Sequence, residues 1–251
     1  MKKLMFLAPF LLAFTQTNAQ SPVPPAEHGC CQEYNYVKNG NFETGTATFG
    51  SDKIQNATNW ESVFSGLSGG DYWSPASNPT TPVDQPNGAT GRWAGLWSRA
   101  NCTEIDYREG IKGKLLQPIT PNTGKCCVSL DLARDVAHSF NNGNQVHKLE
   151  VYGYKGSLPQ ITNSASNCPI SNSTILSGAT HLTLLATFDI RVNGSSPVTN
   201  TFKTFTQQFN SSILNGDIDG IIITRKDGVT GMSYIFVDNV KVSGYISPCD
   251  R

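Results

Sequence analysis

The chain has 251 residues, long enough for one large core or two small ones. Lys+Arg and Asp+Glu are equal at 19 each, and the low charged fraction of 15% comes with 23 glycines and 14 prolines. With no basic excess to hold phosphates, nucleic acid is excluded as a partner, and the composition suits short strands joined by polar turns.

Residues 1–20 carry Lys2 and Lys3, an apolar run from Leu4 to Phe14 and a polar end at Asn18-Ala19-Gln20. That is the pattern of a secretory signal peptide, and the run is too short for the ~20 residues that span a bilayer. Without the two lysines the mature balance is −2. No later run is long enough to span, so no transmembrane segment is expected and the protein is placed outside the cytoplasm. Seven cysteines (Cys30, Cys31, Cys102, Cys126, Cys127, Cys168 and Cys249) then meet an oxidising compartment. None has the C-x-x-C spacing of a zinc site, and the odd number leaves one thiol over or one bond between chains. The two adjacent pairs sit on opposite faces of any strand, so each cysteine reaches elsewhere rather than to its neighbour.

A Pro- and Cys-containing lead (21–33) precedes a single domain over 34–249. In chain order, strands are expected at 34–37, 92–98, 108–116, 128–133, 146–154, 182–192, 201–209, 218–224 and 233–243. Val128, Leu130 and Leu132 alternate with Ser129, Asp131 and Ala133, as a half-buried strand requires. There is no helical period, no repeat and no composition shift, so the fold class is all-β: a two-sheet antiparallel sandwich. The stretches 65–90 and 155–180 are rich in Gly, Ser, Asn and Pro and read as long loops, where ligand contacts concentrate.

Two motifs form a pair across the chain: Val37-Lys38-Asn39-Gly40-Asn41-Phe42-Glu43 near the start and Phe236-Val237-Asp238-Asn239-Val240-Lys241-Val242 near the end. With Gly91-Arg92-Trp93-Ala94-Gly95-Leu96-Trp97, Tyr107 to Ile111, Leu115 to Ile119 and Lys125 to Leu130, the set resembles galactose-binding-like jelly rolls, the fold of many secreted bacterial carbohydrate-binding modules. The resemblance covers most of residues 34–245. It implies a jelly roll with adjacent first and last strands, non-catalytic binding of a carbohydrate, and a structural calcium; the near-zero charge of the chain makes a neutral or weakly charged glycan the expected one unless charge is locally clustered. The matching ligands would be Glu43 and Asp238, with Asn41 as a further side chain. Hard oxygen donors of this kind suit calcium. Neighbouring chain ends also imply that Cys249 pairs with Cys30 or Cys31.

Sugar sites combine an aromatic face with polar groups for hydroxyls. On a strand over 92–97, Trp93, Gly95 and Trp97 share a face and Leu96 takes the other. Trp60 and Trp93 read as core, whereas Trp73, beside a Gly-rich loop, and Trp97, at a strand end, are the aromatic ligand candidates. Arg108 offers a donor fork and Asp135 an acceptor to vicinal hydroxyls; Arg134 and His147 are polar residues nearby. Together Trp73, Trp97, Arg108 and Asp135 are the expected binding set.

Two other readings stay open. Glu104-Ile105-Asp106-Tyr107-Arg108-Glu109 has the spacing E-x-D-x-x-E and is similar to the catalytic strand of laminarinase-type retaining glycoside hydrolases, with Glu104 as nucleophile, Asp106 between and Glu109 as acid/base. Against it, the motif follows an apparent loop and lacks a tryptophan-rich cleft around it. The other reading is a surface adhesin or structural protein that contacts protein instead of glycan.

Overall fold

The computed structural model describes residues 32–65, 69–77, 85–100, 109–135, 146–159, 161–162, 172–191, 198–226 and 231–246. The strands are β1 (Gln32–Asn35), β2 (Trp60–Ser62), β3 (Phe64–Ser65), β4 (Asp71–Trp73), β5 (Trp93–Ala100), β6 (Gly110–Ile119) and β7 (Lys125–Arg134). They continue with β8 (Val146–Gly156), β9 (Ile161–Thr162), β10 (Ala179–Arg191), β11 (Lys203–Asn210), β12 (Ile218–Arg225) and β13 (Gly231–Ile246), and one four-residue helix, α1, covers Asn172–Ile175. No helix among the described residues is long and apolar enough to cross a membrane.

Sheet one has the order β11-β7-β13-β5-β4, with β1 also on β13; sheet two has the order β10-β8-β12-β6-β2. Every pairing within both sheets is antiparallel; the small β3–β9 pair is parallel. The expected two-sheet antiparallel jelly roll is therefore the observed one. Long β13 is shared along its length: residues 231–237 pair with β5 and residues 243–246 with β1. First and last strands are thus adjacent, with Gln32 opposite Ile246, and the two terminal motifs touch where Val240 N donates to Gly40 O (2.8 Å). Cys30, Cys31, Cys102, Cys168 and Cys249 lie outside the described residues. Cys126 is a buried thiol on β7.

The main core lies between the sheets. Val128, Leu130 and Leu132 of β7 face Ile221 and Ile223 of β12 and Leu149 and Val151 of β8 in one apolar cluster. Period-two side chains produce this directly, because one face of each strand is removed from water. Two further clusters cover the outer faces. Ile222 and Tyr154 of sheet two pack under Val63, Phe64, Leu158 and Leu176, and sheet one carries Trp73, Trp93, Ala133, Tyr234 and Phe236 outside. This second layer explains why Ile221, Ile222 and Ile223 are all buried although they alternate between faces.

Candidate functional site: an open cleft on sheet two and a closed aromatic face on sheet one

The outer face of sheet two is laid out by register. Tyr154 of β8 stands opposite Gly220 of β12, which in turn stands opposite Lys114 of β6; one row along, Ile222 pairs with Lys112, and Lys112 with Glu61 of β2. Gly220 is essential to this arrangement, since a Cβ there would lie 2.5 Å from the Tyr154 ring. The phenol therefore folds across the β12 backbone toward Lys114, whose ammonium sits 5.1 Å from the ring centroid. Burial pushes the Tyr154 hydroxyl well up from its ordinary value, and the nearby Asp219 and Glu61 carboxylates push it further.

Between β2, β6 and the end of β8 lies a cleft of about 580 Å³ lined by Gln55, Asn59, Glu61, Lys112, Lys114 and Tyr154, among others. Its charges are held by exposed partners: Lys112 Nζ to Glu61 Oε2 at 3.3 Å and Lys114 Nζ to Asp219 Oδ1 at 3.0 Å. Asn59 stiffens the wall by donating from Nδ2 to the Lys114 and Lys38 carbonyls (2.9 and 3.2 Å). None of these six was singled out from sequence. The available signal was Lys112 and Lys114 alternating with Ile111 and Gly113 on one strand, which puts two ammonium groups on one face.

Sheet one gathers several of the residues singled out from sequence. As expected, Trp93, Gly95 and Trp97 share a face, while Leu96 points into the main core. Trp73 joins the same outer side as Trp97, and Asp135, just past β7, donates its backbone N–H to Tyr234 O (3.1 Å). Their setting is closed: Trp73 is 5% exposed and Asp135 3%, and Trp97 is partly exposed. Trp73 donates from Nε1 to Tyr234 Oη (2.7 Å), and Tyr234 donates its hydroxyl to Asp71 Oδ2. The tryptophan that was expected as a ligand platform thus belongs to a buried hydrogen-bond chain. Gly95 makes room for the chain, because a Cβ there would stand 2.0 Å from Tyr234 Oη and 3.0 Å from Trp73 Nε1. Trp97 packs edge-on to Tyr234 with centroids 5.6 Å apart. Arg108, Glu104 and Asp106 lie outside the described residues.

Glu109 is buried beside this network. Its N–H donates to Trp97 O (3.0 Å) and its Oε2 accepts from Trp97 N (2.5 Å), so the start of β6 is fastened to the edge of β5. Desolvation raises the Glu109 carboxyl well above the usual range, and the negative charge of Asp71 adds to it. Asp71 is pushed up to about 7, by burial first, against the lowering effect of its hydrogen bonds from Tyr234 and Asp52.

The terminal motifs bring a third group together. Glu43 Oε1 accepts from Arg92 N (2.7 Å), and Asp238 Oδ1 accepts from Asn239 N (2.7 Å). Asp131, not anticipated here, accepts from Asn239 Nδ2 (2.7 Å). Half-buried Asp238 is pushed up to about 7, by burial and then by the charges of Asp131 and Glu43; Asn41 is exposed. Among the described residues no three His, Cys, Asp or Glu side chains are grouped closely enough to hold a metal ion by themselves. Carboxylate oxygens are the hard donor type that calcium takes.

No protein-family profile and no curated protein matches the chain. Among solved structures it is similar to the enzymatically active domain of bacteriophage CBA120 tailspike protein 4 (15% identity, TM-score 0.41, covering 84% of this chain but only 21% of that one). It is also similar to a family 61 carbohydrate-binding module in complex with β-1,4-galactotriose (15%, TM-score 0.37, 83% and 97%). A third is a cleaved adhesin domain of Lys-gingipain from Porphyromonas gingivalis (12%, TM-score 0.41, 86% and 98%).

Proposed function

We propose that the protein is a secreted, non-catalytic carbohydrate-binding protein whose ligand occupies the cleft on sheet two. The observation that carries this reading is the cleft itself: about 580 Å³ of open space lined by ammonium, carboxylate and phenol groups on strands and by the amides of Gln55 and Asn59 in the turns before β2. Donors and acceptors gathered around one opening are what selective binding of a hydroxyl-rich chain needs. A non-catalytic role is supported by Glu109, whose carboxyl is buried and tied to the β5 backbone rather than presented to a ligand. Partly exposed Trp97, on the same outer face as Trp73, favours a second reading in which the glycan is met on sheet one. Calcium held by Glu43 and Asp238, with Asn41 or Asp131 assisting, is the structural cofactor we propose.

A glycan array on the full secreted protein, followed by titration calorimetry of the best ligand, tests the reading. Gln55→Ala combined with Lys112→Gln is expected to weaken binding at least tenfold with unchanged melting, while Trp97→Ala leaves it unaltered. The opposite pattern transfers the site to sheet one, and a blank array rejects glycan binding in favour of a protein partner.

A further inference from the structure

In most sugar sites an aromatic ring lies bare so that a pyranose can stack on it. The cleft departs from that. Tyr154 is 3% exposed, with Gly220 beneath its ring and the Lys114 ammonium above it. A ligand entering the cleft therefore meets Lys114 and, one row along the same strand face, Lys112.

Two observations describe what these cations can do. Their carboxylate partners are the solvent-facing groups: Glu61 is 70% exposed against 14% for Lys112, and Asp219 36% beside a Lys114 that is itself 53% exposed. Ion pairs with such exposed partners contribute little, so a better-placed anion can take them over. The cleft carries two ammonium groups on one strand face, each held by one carboxylate, Lys112 by Glu61 and Lys114 by Asp219, so its two cations come with partners that a ligand carboxylate can replace. Long amphipathic Lys114 is held in place by its stem, by the Tyr154 ring, and by its contact with Gly156 O (3.4 Å).

Building on the cleft as the glycan site, we infer that its ligand is an acidic glycan, whose uronate carboxylates replace Glu61 and Asp219 as partners of Lys112 and Lys114. Sugar hydroxyls fall to Gln55 and Asn59. Charge-assisted hydrogen bonds to carboxylate are stronger than neutral ones, which makes the carboxyl the part of the ligand that decides selectivity.

The test uses oligogalacturonate and oligomannuronate, each beside its carboxyl-reduced counterpart of equal length, titrated into the full protein at low and high salt. At least one acid form is expected to bind, with its reduced form at least tenfold weaker and affinity falling as salt rises. Lys114→Ala is expected to weaken the acid form at least tenfold without tightening the reduced one, and the melting temperature checks that the variant is folded. Equal binding of acid and reduced forms, or a Lys114→Ala protein that gains affinity for the reduced form by stacking it on the uncovered ring, overturns the uronate class and leaves the cleft as the site. Absence of binding to both acids, with a neutral glycan lost on Gln55→Ala and Lys112→Gln, likewise overturns the class alone. Insensitivity of every glycan to those cleft variants overturns the site as well.

Discussion

The outer faces of the two sheets solve the same problem in opposite ways. Each must do something with a strand face turned away from the main core. Sheet one closes its face with aromatic rings: Trp93 against Phe202 (6.4 Å), Tyr234 against Phe236 (5.1 Å), and a hydrogen-bond chain from Trp73 through Tyr234 to Asp71. Sheet two closes only part of its face, under Phe64, Leu158 and Leu176, and leaves a charged cleft beside it. Tryptophans alone therefore do not mark a binding face. Large rings at period-two positions bury more area against each other than any other residues and make a second core where a second layer exists. The proposed binding face is marked instead by polar side chains held in register around open volume.

The largest effect that separates the faces is expected from Trp93→Ala. The ring is fully buried, so its loss should cost about 3–5 kcal/mol in denaturant unfolding. Affinity at the cleft, measured well below the unfolding transition, should stay within about twofold. A cost under about 1 kcal/mol would mean the ring is no part of a core, and a large change in affinity would mean that the two faces are coupled.

A second difference is pH dependence. Asp71 has an ordinary value of 3.8 and is pushed up to about 7 in the fold, and Glu109 beside it moves the same way. Folding favours their protonated forms, so this contribution is fully present below about pH 4 and is lost as pH rises through about 7. At ~1.36 kcal/mol per pKa unit, Asp71 alone sets an upper limit of about 4 kcal/mol. Unfolding free energy measured between pH 5 and 8 should fall, and Asp71→Asn should flatten the fall. An unchanged slope in that variant would remove Asp71 as the cause. The cleft ion pairs, whose carboxylates reach solvent, should not contribute comparably.

How much of this could be read from the chain differs between the faces for a physical reason. Strand alternation is local, so β7, with Val128, Leu130 and Leu132 inward, and β5, with Leu96 opposite Trp93 and Trp97, were legible. So was the meeting of the terminal motifs. The segments expected to be plain loops hold β4, β9 and α1, whose two to four residues are too short to carry a period. The exposure of Trp73 was misjudged because the hydroxyl that receives its Nε1 proton comes from Tyr234, far along the chain. The cleft was missed for the same reason. Glu61, Lys112 and Tyr154 meet only through the register of three strand pairs, and no local pattern encodes that register.

Calcium between the ends of the chain would add a third kind of site, one that acts on the whole fold. A ligand bound only by the folded state at 100 times its Kd stabilises by about 2.7 kcal/mol, which for a domain of this size is roughly 5–10 °C in melting temperature. Chelator should lower melting by that order, and Asp238→Asn should abolish the response. If melting is indifferent to chelator and metal analysis of the purified protein finds no calcium, the acids at Glu43, Asp131 and Asp238 are a surface cluster only.

The smallest expected effect bears most directly on how the cleft works. In a double-mutant cycle, Lys112→Ala and Glu61→Ala should couple by only about 0.2–1 kcal/mol in stability, because water screens the exposed glutamate and ordering two long side chains costs entropy. Such weak coupling distinguishes this contact from those of Glu109 and Asp71, whose own carboxyls are buried. It is also the condition under which a ligand carboxylate can displace Glu61 without first paying to break a strong bond. A coupling above ~2 kcal/mol, in the range of enclosed charged contacts, would make Lys112–Glu61 a built-in strut. Lys112 would then not be free to change partners, leaving Lys114 to hold an acidic ligand alone.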